Sequence, residues 1–216
     1  EGSNLRLVSS DGHRLSLAEQ QLPQELQVAG GILVPRKGVA EMLRVLEDEE
    51  ECGLGLLPKM LLVQRGEEYL FIRLLERNFP DYQRILPRQV VLRVEVERRP
   101  MLEVLRRTSL LSTERFKGVI LKFDSDQMEI RYHSPGVGMG EEKLPVVVTV
   151  VDPEGLPEEL RLPFEVSYNA RYLMEPLSVM KSEQVRLDFM EKRRPVKISG
   201  DKDPGYLSIV MPMELI

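Results

Sequence analysis

Apolar and polar residues alternate over many short segments of this chain, and a spacing of two is typical of β-strands with one buried face. The clearest case is 90–96, where Leu92, Val94 and Val96 alternate with Arg93 and Glu95. The same criterion, or a short apolar run ended by turn residues, predicts further strands at 5–8, 15–17, 31–35, 53–57, 60–65, 69–75, 119–123, 128–132, 144–151, 160–166, 184–190, 195–199 and 206–211. We therefore expect a chain rich in short strands, which begins with a hairpin whose turn is at 9–12.

Three stretches change to the spacing of a helix, in which every third or fourth residue is apolar. The first follows Pro35, a residue that favours the first turn of a helix. The other two cover 100–111 and 168–180. The apolar residues on which these predictions depend are Val39, Met42, Leu43 and Leu46; Met101, Leu102, Leu105 and Leu110; and Leu173, Leu177 and Met180.

An internal repeat relates the two halves of the chain. Residues 32–46 match the segment 164–180, and their helical positions pair at a constant offset, with Glu41 opposite Glu175 and Leu43 opposite Leu177. Further on, YLFIRLL matches YLSIVMP. Each copy reads as a strand, a short helix and three strands. The second copy is preceded by one more strand–helix–hairpin unit, and the first only by a hairpin. We therefore predict an α+β fold with a partial domain over 1–86, whose opening strand and helix are absent, and a complete domain over 87–216. The opening of the chain suggests a piece cut from a longer protein.

Composition narrows the possible classes of protein. The 42% hydrophobic and 30% charged residues are typical of a soluble protein with a real core. The sequence holds no apolar run of membrane-spanning length and no signal peptide, and Cys52 is its sole cysteine, so a reducing cytoplasm is expected. A net charge of −5 argues against a generally basic nucleic-acid binder, but not against one whose cations are gathered on a single face.

The residues that could carry catalysis do not form a recognisable constellation. His13, His133 and Cys52 lack the spacing of metal ligands. The glycine run at 136–140 lacks the Lys-Ser/Thr of a phosphate-binding loop and is interpreted as a mobile loop between strands. No serine lies in a nucleophile elbow. We expect no catalytic residues, no metal and no cofactor.

Five short motifs in register resemble a known family. They are SDGHRL at 10–15, VPRKG at 34–38, FPDY at 79–82, FKGV at 116–119 and VMPM at 210–213. Together they resemble the bacterial sliding clamp, the beta subunit of DNA polymerase III, over the latter part of its middle domain and all of its third domain. The resemblance implies the DNA-clamp fold, in which repeated strand–helix–hairpin units place helices on one face of antiparallel sheets.

The resemblance also implies a function without chemistry, that of a processivity factor. The family forms a homodimeric ring around duplex DNA when full length, although this chain alone could not close that ring. It is not an enzyme and makes no sequence-specific contacts, since a sliding ring holds phosphates through screened charges. The residues implied to face DNA are Arg36, Lys37, Arg106, Arg107 and Arg171. Leu110 and Leu111 match the ring interface, with ordinary core as the alternative for both.

The family's partner site is a groove for short apolar peptides. Its implied partners are the DNA polymerase III alpha subunit, the clamp loader delta subunit and other proteins with a clamp-binding motif. The groove residues carried over are Ser10, Gly12, His13, Arg14, Leu15, Pro80, Arg84, Ile85, Phe116, Tyr168, Pro195, Ile209, Val210, Met211, Pro212, Met213 and Leu215, with Val196 nearby. Two methionines beside Pro212, where the last strand should leave its sheet, suit an adaptable apolar slot.

This sequence departs from the family pattern at the rim of the groove. Glu214 stands where a basic residue is usual, Glu165 where an amide is common, and Pro195 where a small hydroxyl residue is frequent. We expect a charged residue at Met211 or Leu15 to abolish peptide binding and leave the fold intact. Two alternatives stay open at this point: a peptide-binding scaffold with no role on DNA, and an enzyme of unknown class that uses the glycine run and nearby acids.

Overall fold

The computed structural model describes residues 3–23, 31–46, 51–87, 89–110, 118–134 and 138–214. Its helices are α1 (Arg36–Val45), α2 (Arg98–Leu110) and α3 (Ala170–Val179). Its strands are β1 (Asn4–Ser10), β2 (Arg14–Gln21), β3 (Gly53–Leu57), β4 (Met60–Arg65), β5 (Glu68–Arg73), β6 (Leu92–Glu97), β7 (Gly118–Phe123), β8 (Gln127–Ser134), β9 (Gly138–Val150), β10 (Phe164–Asn169), β11 (Gln184–Phe189), β12 (Val196–Gly200) and β13 (Tyr206–Val210).

Contacts divide the chain into two units, and the first comprises Glu1–Asn4 and Leu22–Tyr82. Here β3, β4 and β5 form an antiparallel sheet. One turn of α1 apart, Met42 and Leu46 pack with the small core that Val63 and Ile72 form in this sheet. Gly38 permits the close approach of helix and sheet, because a Cβ atom there would collide with Ile72.

The second unit comprises Leu5–Gln21 and Gln83–Ile216, so the first hairpin joins the C-terminal part of the chain. Its strands follow the order β1-β2-β13-β12-β11-β6-β9-β8-β7-β10. The described strand pairs are antiparallel, and β13 lies between β2 and β12 with Ile209 opposite Leu15. The hairpin is thus one end of the sheet in which the chain finishes.

Helices α2 and α3 pack together over the core of the second unit. Met101 and Leu105 of α2, and Leu173 and Leu177 of α3, are fully buried at helical spacing. Asn169 caps α3 by accepting a hydrogen bond from the backbone N–H of Arg171 at 3.0 Å. Both helices are therefore stabilised by burial of one apolar face against the core of the sheet.

The α+β class, the three helices and most of the strands are confirmed, but several local predictions are wrong. Residues 31–35 form no strand, although the carbonyl of Leu33 accepts one hydrogen bond from Leu75. Strand β10 begins only at Phe164, after a helical turn at Glu158–Leu160, and Tyr168 belongs to this strand rather than to the next helix. The glycine run is not a loop over 138–140, which is the start of β9 and pairs with β8.

The apolar pattern also overestimated burial on two helices. Val39 and Leu43 of α1 are exposed, and so is Leu110 at the end of α2. None of the helices in the described ranges has the length and apolar run that a membrane crossing requires.

Candidate functional site

The C-terminal tail leaves its sheet at the predicted place and is held by two backbone hydrogen bonds. After β13, the N–H of Met211 donates to the carbonyl of His13 at 2.9 Å. The N–H of Met213 donates to the carbonyl of Ser167, also at 2.9 Å. Pro212 between them has no N–H to donate. The tail therefore runs from the hairpin turn to β10 with a fixed backbone.

The tail presents apolar side chains to solvent. Met211 is 37% exposed and Met213 is 36% exposed, whereas Ile209 and Val210 just before them are buried. Methionine is unbranched and polarizable, so it adapts to apolar partners of different shapes. A rigid backbone that carries two adaptable, partly exposed side chains is well suited to bind short apolar segments.

The hairpin turn beside the tail is fixed by its own side chains. Asp11 accepts hydrogen bonds from the N–H groups of His13 (3.0 Å) and Arg14 (3.1 Å). Ser10 donates to the carbonyl of Arg14 at 2.8 Å, and Gly12 adopts a φ of +88° that favours glycine. These contacts hold the carbonyl of His13 in the position where it accepts the hydrogen bond from the N–H of Met211.

Helix α3 supports this turn from the side. The guanidinium carbon of Arg14 lies 4.3 Å from the centre of the Tyr172 ring, and the His13 ring stacks on the same tyrosine at 6.4 Å. Arg14 also pairs with Asp11 at 2.9 Å and with Glu175 at 2.5 Å. The turn, the tail and α3 form one connected cluster.

Hydrogen bonds and ion pairs within this cluster favour the charged forms of Arg14 and Asp11. Burial alone would lower the pKa of Arg14, but its hydrogen bonds and charge interactions with Asp11 and Glu175 outweigh burial and raise it. Burial alone would likewise raise the pKa of Asp11, and hydrogen bonds from His13 and Arg14 reverse the shift and lower it. Both side chains therefore stay ionised near neutral pH.

Five residues assigned to the groove lie beneath its surface, which corrects the sequence-based assignment. Leu15 is 2% exposed, and the others are buried as well; they are Tyr168, Pro195, Ile209 and Val210. These residues are therefore closed to a guest in this structure. The burial of Leu15 argues against the expectation that a charge there leaves the fold intact, since a buried charge without a partner is costly.

Tyr168 carries an unusual buried group. Its hydroxyl has no hydrogen-bond partner among the described residues, and burial raises the pKa of this phenol. The neighbouring residue Ser167 is the one that anchors the tail. The residue that follows the anchor of the tail on β10 therefore carries a hydroxyl with unused hydrogen-bonding capacity.

The other groove candidates have varied placements. Ser10, Gly12 and His13 are exposed at the turn; Arg84 and Ile85 are exposed in and after the helical turn Tyr82–Arg84. Pro80 is exposed in the first unit. Phe116 and Leu215 lie outside the described residues. At the rim, Glu165 pairs with Arg131, and Glu214 is exposed next to Met213.

The candidate DNA-facing cations differ in whether a carboxylate of the chain already pairs with them. Arg36 and Lys37 are exposed in the first turn of α1. Arg106 is exposed on α2, but its neighbour Arg107 donates two hydrogen bonds to Glu142, at 3.0 and 2.6 Å. Arg171 pairs with Glu175 across one turn of α3 at 2.9 Å. A guanidinium already matched to a carboxylate offers less charge to a phosphate.

Leu110 is 84% exposed at the end of α2, which excludes the core alternative for this residue. Leu111 lies outside the described residues. The predicted ring interface is therefore a proposal that depends on one exposed leucine.

Tyr172, Glu175 and Ser167 are the residues of the cluster that the sequence reasoning missed. Tyr172 and Glu175 are three positions apart and so lie on one face of α3, which is a usable signal. Their partner Arg14 is 161 residues away from Glu175, and only the pairing of β13 with β2 brings it near.

Comparison with known proteins agrees with this architecture. Residues 83–214 match the family described as the DNA polymerase III beta subunit, C-terminal domain, and residues 1–81 match the central domain of the same subunit. The boundary predicted at 86/87 lies a few residues after the junction of these two matches. Contacts divide the chain differently, because they group the first hairpin with the second unit, so the predicted boundary stays a prediction.

Curated relatives carry the description beta sliding clamp. The protein from Pseudomonas putida is 33% identical over 216 residues, and that from Escherichia coli K12 is 28% identical over 216 residues. These matches cover 99% and 100% of this chain but only 55% and 56% of the relatives, so the chain spans about half of their length.

Solved structures show the same fold. A DNA polymerase III subunit beta from Pseudomonas aeruginosa is similar with a TM-score of 0.87 and 28% identity, covering 99% of this chain and 56% of that one. A sliding clamp from the same organism, bound to griselimycin, has a TM-score of 0.87 and 29% identity, with 100% and 56% coverage. With the fold, the order of motifs and both domain matches in agreement, the chain belongs to the family of DNA polymerase III beta subunits, the beta sliding clamps.

Proposed function

We propose that this chain is the partner-binding part of a DNA sliding clamp, a processivity factor without catalytic activity that acts in the cytoplasm. Its surface around the tail binds short apolar peptide segments. The partners are the DNA polymerase III alpha subunit, the clamp loader delta subunit and other proteins with a similar motif. Within a complete homodimeric ring, cations on the helices face duplex DNA.

The observation that carries the peptide proposal is the anchored tail. Backbone hydrogen bonds to His13 and Ser167 fix the tail, while Met211 and Met213 remain more than one-third exposed. A fixed surface costs little entropy on binding, so a short peptide can gain useful affinity from a few apolar contacts. Because few atoms are buried, we expect a Kd on the order of micromolar.

The DNA proposal is supported by charge placement rather than by net charge. The chain is acidic overall, but Arg36, Lys37 and Arg106 are exposed on helices. Contacts of this kind would be non-specific and strongly dependent on salt, as sliding requires. Leu110, exposed at the end of α2, supports a role of this helix end in the ring interface.

A direct titration tests the peptide proposal. A fluorescently labelled short peptide rich in Gln and Leu, with apolar residues at its end, is titrated with the chain, and anisotropy is measured. We expect saturable binding at micromolar concentration, and none for the same peptide with its apolar residues replaced by serine. Equal weak binding of both peptides would contradict the proposal.

A second measurement distinguishes the proposed sliding clamp from a peptide-binding scaffold that has no role on DNA. The complete ring-forming protein is assembled on nicked circular DNA, and its retention is followed after dilution. Retention until the circle is cut supports the clamp. Peptide binding with no retention on circular DNA would leave only the scaffold.

A further inference from the structure

Glu175 on α3 is shared by two arginines of the second unit. Its Oε1 accepts a hydrogen bond from Nε of Arg171 at 2.9 Å, and its Oε2 accepts one from Nη1 of Arg14 at 2.5 Å. Arg171 is in the first turn of the same helix, whereas Arg14 begins β2. One carboxylate of α3 therefore pairs with a residue of its own helix and with a residue of β2.

The two arginines serve different proposed roles. Arg14 lies opposite Val210 in the sheet and next to His13, whose carbonyl anchors Met211. Its side chain is 28% exposed and lies against Tyr172. Arg171 is 75% exposed and belongs to the candidate DNA-facing set. Glu175 is thus in contact with the peptide side through Arg14 and with the phosphate side through Arg171.

The internal repeat shows that this arrangement is particular to the second copy. In the first copy the equivalent carboxylate, Glu41, pairs with Arg44 of the same helix at 3.1 Å. At the repeat offset, Arg44 corresponds to Ser178, which carries no charge. Glu175 has no cation at that position and instead reaches Arg14 of the hairpin.

The sharing has an electrostatic consequence. Two cations beside one carboxylate each reduce the negative potential that the other experiences. A phosphate that pairs with Arg171 neutralises the charge of one of them, so Glu175 then attracts Arg14 more strongly. Arg14 is the less exposed of the two and is therefore less screened by solvent. A more firmly held Arg14 strengthens the contact between α3 and the hairpin turn, whose His13 carbonyl accepts the hydrogen bond from the tail.

We propose that Glu175 couples an anion bound at Arg171 to the peptide surface at the tail, so that contact with DNA phosphate tightens peptide binding. This inference rests on the proposed function. Glu175 acts here as a positioning residue, since it touches neither the peptide nor the phosphate. Thermodynamic linkage requires that peptide binding strengthens the phosphate contact by the same factor.

A double-mutant cycle on the full chain tests the proposal through peptide Kd values. Arg171→Gln removes the competing cation as a phosphate would, so peptide affinity should rise roughly two- to threefold, the scale of an exposed ion pair. Glu175→Gln should lower affinity several-fold. In the Glu175→Gln background, Arg171→Gln should have no further effect. Arg44→Gln, which removes an exposed paired arginine of α1, is the matched control and should leave affinity unchanged.

A short DNA duplex at low salt provides the ligand arm of the test. It should tighten peptide binding of the unmodified chain by the same factor and have no effect on the Arg171→Gln or Glu175→Gln proteins, whose folding is verified by thermal unfolding. If Arg171→Gln or the duplex changes peptide affinity equally with and without Glu175, the coupling is wrong while the proposed function stands. If the unmodified chain binds no peptide, the proposed function itself fails and the coupling with it.

Discussion

The backbone N–H of Met213 lies 2.9 Å from the carbonyl oxygen of Ser167, and this hydrogen bond ties the end of the tail to β10, the last strand in the order of the sheet. A second hydrogen bond, from the N–H of Met211 to the carbonyl of His13, ties the start of the tail to the hairpin turn. The methionine side chains are consequently displayed from a backbone that does not need to be ordered on binding.

The first prediction concerns Met213. Met213→Glu places a charge on the apolar surface that is to receive the peptide, so affinity should fall more than about tenfold, or about 1.4 kcal/mol. Fluorescence anisotropy with the labelled peptide measures the loss. Met139→Glu is the matched control, because Met139 is 79% exposed on β9 and should tolerate the change. Equal losses in both proteins would mean that the tail is not the binding surface.

The second prediction separates two neighbouring arginines on α2. Arg106→Gln should weaken binding of duplex DNA and reduce the slope of log K against log salt by about 0.9, the value for one phosphate contact. Arg107→Gln should change the slope little, since Glu142 already binds this guanidinium through two hydrogen bonds. The measurement is a salt series of affinities for both variants. A larger effect at Arg107 would reverse the assignment.

The third prediction concerns a buried carboxylate in the sheet. Asp188 accepts hydrogen bonds from Arg93 at 2.7 Å and pairs with Lys197 at 2.8 Å. Burial alone would raise the pKa of Asp188, but these hydrogen bonds and charges outweigh it, so the pKa is lowered. Asp188→Asn should lower the free energy of unfolding by about 2–3 kcal/mol near neutral pH, because two partly exposed cations lose their partner.

The pH dependence of this effect has a definite sign. A carboxyl whose pKa is lower in the folded state stabilises the fold above its unfolded pKa and loses that contribution as the pH falls through the folded value. The stability difference between the unmodified chain and Asp188→Asn should therefore shrink below the ordinary carboxyl pKa of 3.8. Urea unfolding across a pH series tests this, with Glu191→Gln, which removes an exposed pair, as the control. A difference that does not change with pH would contradict the role given to Asp188.

The fourth prediction concerns Tyr168, whose buried hydroxyl has no hydrogen-bond partner among the described residues. Tyr168→Phe removes a polar group that is desolvated without compensation, so the chain should be unchanged or more stable by about 1 kcal/mol. Tyr206→Phe is the matched control, because its hydroxyl is hydrogen-bonded to Ser16, and it should lose about 1 kcal/mol. Thermal unfolding compares the two. A clear loss of stability in Tyr168→Phe would reveal a partner for this hydroxyl.

The fold was largely predictable because its signals are local. Alternation identified β6 from Leu92, Val94 and Val96, all of which are buried, and helical spacing placed α2 within two residues of its start. The segment 31–35 is equally apolar and forms no strand, since a strand needs a neighbouring strand to pair with and not composition alone. Leu110 and Leu43 show the same limit for helices, because spacing cannot show whether a partner covers an apolar residue.

Those parts of the site that depend on local sequence were predictable, and those that depend on contacts between distant segments were not. Pro212 correctly marked the exit of the tail from the sheet. The sequence could not show that Ile209 and Val210 are both buried while Met211 and Met213 remain exposed. Nor could it show that Glu175 meets Arg14, since this pair forms only when β13 aligns with β2.

The most direct test of the central claim is to observe where a peptide lies on the chain. Methionine methyl groups, labelled with carbon-13 and assigned by single substitutions, report contacts through their NMR shifts. Titration with the Gln-Leu-rich apolar peptide should shift the methyl signals of Met211 and Met213 in a saturable manner and leave Met139 unchanged. Saturable binding that leaves both tail methionines unshifted, or that shifts Met139 instead, would contradict the account.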